Sequence, residues 1–337
     1  MGISKVFRLP DTLSTWPWIR KLNPNYDRVK DQSKEWLESF RAFPATAQNA
    51  FNRCDFNLLA SLAYPNASAE HLRTGCDLMN LFFVFDEYTD VCNAEEARML
   101  ADVVMDALRD PDIPRSSGES VVGEIARQFW LLARRTSTKN FQESFVRAFD
   151  AYTTSVVEQA KDREMHHICD VKSYLRVRRD TIGAKPSFAL LYLGFELPET
   201  FLCHPLVEYI STLAIDLLII GNDICSYNVE QARGDGSHNM VTIVMHRMKL
   251  DLGEAMLWIS SLHDILANTF LHTHAYIRRE LPIIKTSDAA AKYIDGLGNW
   301  VRANDCWSFE SERYFGRKGP IIQSTRIVEL LPRKCVL

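Results

Sequence analysis

The chain has 337 residues, of which 47% are hydrophobic and 24% charged, so a wholly disordered protein is excluded and one large domain or two ordinary ones are allowed. Its 39 basic and 43 acidic residues give a net charge of −4, which offers no basic surface for nucleic acid. The eight cysteines form no CxxC pair, and the longest apolar stretch, 213–221, is too short for a membrane span. With no basic segment leading into an apolar run at the N-terminus, we expect a cytoplasmic protein without a membrane span.

Proline is absent from three long windows, 66–110, 115–185 and 206–281, which are filled with strong helix formers. Their apolar residues recur at spacings of three and four, the pattern of amphipathic helices. No region shows a sustained alternation with flanking turn signals, so no sheet is expected. Breaks are expected at 109–120, 196–200, 233–239 and 282–288. The pattern predicts one all-α domain of about ten or more helices.

The segment 76–90 contains the first informative row of side chains. Residues four apart lie along one face of a helix, and here they are Leu78, Phe82, Asp86 and Asp90. Two carboxylates on the face of an interior helix are costly unless a cation joins them, and hard oxygen ligands suit Mg²⁺. The row therefore indicates an apolar wall that ends in a metal site. The alternative is a helix end exposed to solvent, since such an aspartate pair also arises by chance.

The segment 213–230 repeats this design. Its row runs through Ala214, Leu218, Asn222, Ser226 and Glu230, apolar first and then rich in oxygen donors. The three donors span about 12 Å along the helix, which suits a ligand that brings its own metal-bound oxygens, such as a diphosphate. Both rows change from apolar to polar in the same direction, so their C-terminal ends should face one opening. The alternative is an amphipathic helix that leaves the core.

Three motifs resemble those of the class I terpene cyclases. Residues 86–90 (DEYTD) resemble the aspartate-rich motif, and residues 222–230 (NDICSYNVE) resemble the second metal motif, often called NSE. Arg313 and Tyr314 resemble the arginine–tyrosine pair near the end of microbial members. The sequence around the motifs is similar to that of the sesquiterpene synthases of basidiomycete fungi, over nearly the whole chain.

The resemblance implies a single-domain class I terpene synthase bundle with a central apolar cavity. Together with the less regular sequence up to about residue 45, it predicts a segment 1–45 packing on the core, a catalytic domain 46–320 and a C-terminal tail 321–337. It further implies three Mg²⁺ ions and a diphosphate held by Arg313 and Tyr314. The implied metal ligands are Asp86, Asp90, Asn222, Ser226 and Glu230.

The resemblance also implies an arginine that senses diphosphate, 46 residues before the NSE asparagine. That position is Arg176, but Arg178 and Arg179 are close neighbours and stay open as alternatives. Gly183 and Ala184 would mark the helix break that directs a carbonyl toward the forming cation. The alternative for the arginines is a solvated helix face.

The implied activity is Mg²⁺-dependent ionisation of farnesyl diphosphate, followed by cyclisation to a sesquiterpene, with closure of C1 onto C11 toward a humulyl or protoilludene-type skeleton. The aromatic residues that precede the first motif and the arginine–tyrosine pair are candidates to face the cation. The predicted cavity residues are Phe82, Phe83, Gly183 and Trp307, with Phe85, Trp300 and Phe309 as further aromatic candidates.

Two positions depart from the family pattern. The first motif is DExxD rather than DDxxD, and Val229 replaces the basic residue that usually precedes the last glutamate.

Two other functions stay open: a chain-elongating isoprenyl diphosphate synthase, which usually carries aspartate-rich motifs on both helices, and a non-enzymatic helical scaffold. Both a monomer and a homodimer fit the sequence.

Overall fold

The computed structural model describes residues 6–165, 168–234 and 236–333. Helices make up most of these residues, and the predicted all-α fold is confirmed. The α-helices are α1 (Tyr26–Ser39), α2 (Ala45–Arg53), α3 (Phe56–Ala63), α4 (Ala69–Thr89), α5 (Ala94–Arg109), α6 (Val121–Arg134), α7 (Lys139–Glu164), α8 (Val171–Thr181), α9 (Ala184–Ala189), α10 (Glu199–Leu202), α11 (Pro205–Arg233), α12 (Met240–Met248), α13 (Leu252–Glu280), α14 (Pro282–Thr286), α15 (Asp288–Glu310) and α16 (Gly319–Thr325).

A small antiparallel ribbon departs from the prediction that no sheet is present. Strand β1 (Val6–Arg8) pairs with strand β2 (Ile327–Glu329), with Phe7 opposite Val328. Strands of three residues are too short to show a period of two, so the sequence pattern did not reveal them. The ribbon joins the two ends of the described chain.

The chain between β1 and α1 lies along α15. Trp16 Nε1 donates to the carbonyl oxygen of Gly298 at 2.9 Å, and the guanidinium of Arg302 donates to the carbonyl oxygens of Leu13 and Trp18 at 3.0 and 2.8 Å. The bonds from Arg302 give partners to two backbone carbonyls that lie outside any helix. The predicted tail begins inside α16, and residues 1–5 and 334–337 of the two predicted end segments lie outside the described residues.

Helix α11 is the one described helix that is long and apolar enough to cross a membrane. It packs against α8, α12, α13 and α15, and its apolar residues are buried along most of its length. Because other helices cover these side chains, α11 is a helix of the protein core. Helix α4 is buried in the same way, between α1, α3 and α6.

Capping residues and glycines define where α4 begins and where α8 and α11 end. Ser68 caps the start of α4, with its Oγ accepting from the backbone N–H of His71. Gly183 separates α8 from α9 with a φ of 70°, and Gly234 follows the end of α11 with a φ of 99°. Both angles lie in the left-handed region, which glycine adopts without strain. A Cβ on Gly183 would also come within 3.2 Å of the Phe82 ring, so the break packs closely against α4.

Candidate active site

A cavity of about 160 Å³ lies among α3, α4, α7, α8, α9, α11 and α15. Along both α4 and α11 its lining changes from apolar to polar toward the C-terminal end of the helix. The residues that line it are Leu59, Met79, Phe82, Phe83, Asp86, Tyr152, Arg178, Thr181, Ile182, Ala184, Ser187, Leu218, Asn222, Glu230, Trp300, Asn304, Trp307, Arg313 and Tyr314. The structure therefore brings residues of all three motifs to one cavity.

The two aspartates of the first motif lie in different surroundings. Asp86 lines the cavity, and burial raises the pKa of its carboxyl although the charges of Arg313 and Arg178 oppose this. Asp90 caps the C-terminal end of α4 with its side chain largely exposed, 3.6 Å from Arg163. Asp86 faces the cavity, whereas Asp90 is outside the cavity lining.

Asn222 connects the second motif to residues from two other segments. Its Oδ1 accepts a hydrogen bond from Arg178 Nη2 at 2.9 Å, and its Nδ2 donates to the Tyr314 hydroxyl at 2.8 Å. These two bonds fix both ends of the amide. One side chain thereby joins α8, α11 and the segment that follows α15.

Asn239, which the sequence analysis noted only as part of a break, organises the rest of this row. Its Nδ2 donates to Ser226 Oγ at 3.2 Å and to Glu230 Oε2 at 2.9 Å. Its Oδ1 accepts from the backbone N–H of Val241, which caps the start of α12 and fixes the orientation of the amide. Ser226 is buried beneath this contact, and Glu230 lines the cavity. An asparagine before an apolar helix signals a helix cap, but nothing in the sequence showed that it would contact the metal motif.

Asp223 is a second residue that the sequence analysis missed. The carboxylate is buried and accepts from the Tyr174 hydroxyl at 2.6 Å and from the backbone N–H of Met240 at 2.8 Å. Burial raises its pKa to about 7, although Arg178 and these hydrogen bonds oppose the shift. The three groups fasten α8 and α12 to α11 beside the cavity.

The three neighbouring arginines of α8 have separate partners. Arg176 is exposed and pairs with Glu158 at 2.5 Å, away from the cavity. Arg179 binds Asp216 through two hydrogen bonds of 2.7 and 2.8 Å. Only Arg178 of the three lines the cavity. The family spacing selects Arg176, but the structure brings Arg178 to the other motifs.

Arg313 reaches the first motif from the far end of the chain. Its Nη1 donates to Glu87 Oε1 at 3.1 Å, so the second residue of the DExxD motif pairs with this arginine. The guanidinium also lies over the rings of Phe56 and Phe83, 5.9 and 5.6 Å from their centroids. Burial opposes the charge of Arg313, but nearby phenolic, thiol and carboxyl groups raise its pKa, and the guanidinium is permanently charged.

The predicted aromatic residues divide between the cavity and the core. The rings of Phe82, Phe83, Trp300 and Trp307 line the cavity. Gly183 lies beside it, and the neighbouring Ala184 is the residue that lines it. Phe85 is buried against Tyr152, and Phe309 stacks on Phe315 outside the cavity lining. The lining includes polar residues that the motifs did not indicate, namely Thr181, Ser187 and Asn304.

Residues 77–267 match the family model described as "Terpene synthase family 2, C-terminal metal binding". The chain belongs to this family of terpene synthases. It is 53% identical to a Delta(6)-protoilludene synthase of Stereum hirsutum, over 97% of this chain and 89% of that protein. It is 52% identical to a Delta(6)-protoilludene synthase of Armillaria gallica, over 96% and 94% of the two chains. The predicted membership of the basidiomycete sesquiterpene synthases is confirmed.

Solved structures of two bacterial synthases share the fold of this chain. The crystal structure of germacradien-4-ol synthase from Streptomyces citricolor superposes with a TM-score of 0.75, at 24% identity over 87% of this chain and 96% of that one. Linalool/nerolidol synthase from Streptomyces clavuligerus gives a TM-score of 0.75 at 20% identity, over 87% and 99% of the two chains. At this identity the likeness concerns the fold alone.

Proposed function

We propose that this terpene synthase ionises farnesyl diphosphate and cyclises the resulting cation to a sesquiterpene with a Δ6-protoilludene-type skeleton. The observation that carries this proposal is a sequence identity of 52–53% with several proteins named Delta(6)-protoilludene synthase, over nearly the whole chain. The cavity supports it, because oxygen donors and arginines adjoin a wall of aromatic rings.

The chemistry of the donor set fits a hard divalent cation. The oxygens of Asp86, Asn222, Ser226 and Glu230 would hold the metal, which we propose to be Mg²⁺ as three ions. Burial raises the pKa of both carboxyls, Asp86 and Glu230, so each carries a charge that its surroundings compensate incompletely. A bound cation would relieve this cost and would supply stabilisation of negative charge on the diphosphate oxygens. Asp90 belongs at the rim of this site, since it is exposed beside Arg163.

The chain's own cations and hydroxyls bind the leaving group. Arg178, Arg313 and Tyr314 line the same cavity, and guanidinium groups match phosphate oxygens in geometry. As the C–O bond of the substrate breaks, its electron pair leaves with the diphosphate, and these donors stabilise the charge that develops. We assign the role of diphosphate sensor to Arg178 because Arg176 points away from the cavity and Arg179 is bound to Asp216.

The apolar part of the cavity directs the cation. The faces of Phe82, Phe83, Trp300 and Trp307 are electron-rich and can stabilise positive charge without reacting with it. In the proposed closure the terminal double bond of the chain attacks C1 through C11, and the loss of a proton ends the sequence and restores neutrality. The walls must also exclude water, because water would add to the cation.

The direct test is gas chromatography with mass spectrometry on purified protein and farnesyl diphosphate, with and without Mg²⁺. We expect a C15 hydrocarbon with the spectrum of a protoilludene, formed only with the metal. A longer prenyl diphosphate made after addition of isopentenyl diphosphate would instead establish chain elongation. Folded protein that released neither terpene nor diphosphate from C10, C15 or C20 substrates would contradict the proposal and support a scaffold.

We also propose that the enzyme acts in the cytoplasm on a soluble prenyl diphosphate, as a monomer or a homodimer. In the described residues the apolar helix α11 is covered by other helices, which supports a protein without a membrane span. Light scattering during size-exclusion chromatography, compared with the mass of 38.7 kDa, separates the two oligomeric states.

A further inference from the structure

A second, much smaller cavity of about 20 Å³ adjoins the active-site cavity. On α11 it is lined by Leu217, Gly221 and Ile224, the face next to that of Leu218 and Asn222. The N-terminal chain between β1 and α1 covers it with residues 9–13. The complete lining is Leu9, Pro10, Thr12, Leu13, Leu217, Gly221, Ile224, Cys225, His263, Val301, Asn304, Asp305, Phe309 and Arg326.

His263 makes this small cavity polar. Its side chain is 1% exposed, and its Nδ1 has no hydrogen-bond partner among the described residues. Burial lowers the pKa of its imidazole to about 4, so the ring is neutral at pH 7 and can donate or accept one hydrogen bond at each nitrogen. Asp305 and Asn304 add further polar groups to the lining. A buried polar atom of this kind normally has a protein or water partner.

The size and the chemistry of the cavity match one ordered water molecule. A water needs a volume of about 10–15 Å³ on this measure and two to four polar partners. The cavity is large enough for one such molecule and too small for an organic ligand. Its polar lining distinguishes it from the dry apolar cavities of protein cores.

Asn304 lines both this cavity and the active-site cavity. It lies on α15 between the two cavity tryptophans, one turn after Trp300 and one turn before Trp307. Its amide packs against α11, where Nδ2 lies 3.4 Å from the position that a Cβ on Gly221 would occupy. The Asn304 amide thus lies in the space between α15 and α11 at Gly221. Its side chain therefore forms part of the wall between the two cavities.

We propose that the small cavity holds an ordered water on His263 and that Asn304 keeps this water out of the active-site cavity. Asn304 is then a specificity-determining residue, which favours a hydrocarbon over a terpene alcohol. This inference rests on the carbocation chemistry of the proposed function. If water entered, its oxygen would form a C–O bond with the cation and one O–H bond would break, with the proton passing to the released diphosphate.

The test measures products of the purified enzyme with farnesyl diphosphate and Mg²⁺ in water enriched in oxygen-18. Formation of a hydrocarbon by the unmodified enzyme first establishes the proposed function, independently of the wall. Asn304→Ala removes the amide and joins the cavities, and we expect about a tenfold rise in the ratio of terpene alcohol to hydrocarbon, with the heavy isotope in the alcohol. Asn304→Leu restores a side chain of similar size, and we expect the hydrocarbon to remain the main product.

Leu59→Ala is the matched control, because it removes as many side-chain heavy atoms from the lining of the same cavity, on α3, at a residue that does not line the small cavity. An equal rise of alcohol in Leu59→Ala would overturn the proposal, since bulk water would then enter any enlarged cavity. Addition of His263→Leu to Asn304→Ala should lower the alcohol again, and an unchanged ratio would count against this water source.

A crystal structure of the unmodified enzyme tests the water site without relying on the variants. We expect an ordered water within hydrogen-bond distance of His263 Nδ1. A small cavity that remains dry in well-defined density would overturn the assignment, even if the Asn304 variants do not fold.

Discussion

Helix α4 carries two aspartates that have different surroundings, Asp77, which is buried, and Asp86, which is partly buried at the cavity. Asp77 accepts two hydrogen bonds from Arg73, one turn earlier on the same helix, at 2.8 and 2.9 Å, and a third from Ser33 at 2.5 Å. Asp86 lines the cavity, and the two cations that act on it most strongly come from the segment after α15 and from α8. Asp77 has its partners within the packed helices α4 and α1, so it is a structural residue. Asp86 faces a cavity where the opposite charges come from distant segments, so it is available to a ligand.

Asp86→Asn provides the largest contrast with Asp77. It keeps the shape of the side chain but removes the charge offered to a metal, and we expect turnover to fall by about a thousandfold or more. Thermal unfolding should change little, because the lost charge is poorly compensated in the free protein. The measurement is the rate of diphosphate release at saturating Mg²⁺, and near-normal turnover would remove Asp86 from the proposed metal site.

The arginines of α8 sharpen the same comparison. Arg178→Ala removes the donor to Asn222, and we expect a loss of turnover of about a hundredfold to a thousandfold. Arg176→Ala is the matched control, two positions away on the same helix, and its turnover should stay within about a factor of two because its partner Glu158 is at the surface. Steady-state kinetics with farnesyl diphosphate compare the two. A larger loss in Arg176→Ala than in Arg178→Ala would indicate that Arg176 senses the diphosphate, as the family spacing predicts.

Asp77→Ala should have the opposite effect to Asp86→Asn, with a loss of stability and little loss of turnover. It leaves Arg73 and Ser33 without their buried partner, and we expect the free energy of unfolding to fall by about 3–5 kcal/mol. Activity per folded molecule should be retained at low temperature. Chemical denaturation together with active-site titration separates the two effects. A variant that unfolds normally but is inactive would show that the network at Asp77 serves the reaction.

The smallest expected effect is on the pH dependence of stability. Burial raises the pKa of Asp77 to about 6, although Arg73 and Ser33 oppose the shift. The folded state then binds a proton more tightly than the unfolded state, so this group contributes stability at low pH that is lost as pH rises from about 4 to 6. Asp77→Asn should remove that slope. The measurement is the free energy of unfolding from denaturation curves at several pH values between about 4 and 6, for the variant and the unmodified protein. Equal slopes against pH in the two proteins would contradict the raised pKa of Asp77.

The sequence predicted the helical fold and the rows of α4 and α11 because both depend on local periodicity. Residues four apart share a helix face wherever the helix lies, so the groups that precede and follow Phe82 or Leu218 could be ordered without a structure. The same reasoning could not separate Asp86 from Asp90. Both lie on one row, and only the end of α4 after Thr89 turns Asp90 toward solvent and Arg163.

The sequence did not predict the residues that act through contacts between distant segments. Asn239 was read only as part of a break, although its amide holds Ser226 and Glu230. Tyr174 and Asp223 lie 49 residues apart and form a bond that joins α8 to α11. No periodicity reports such a pair, since its geometry depends on how the two helices pack.

By itself, the sequence determined the family, the all-α architecture and the identity of the oxygen donors on two helices, because motifs and periodicity are properties of short segments. The tertiary structure alone decided which arginine of α8 faces the cavity. Arg176, Arg178 and Arg179 are nearly equivalent in sequence, but successive residues of a helix point about 100° apart, so packing against α7 and α11 gives each a different partner. The position of Asn304 between two cavities has the same origin, since it depends on how α15 packs against α11.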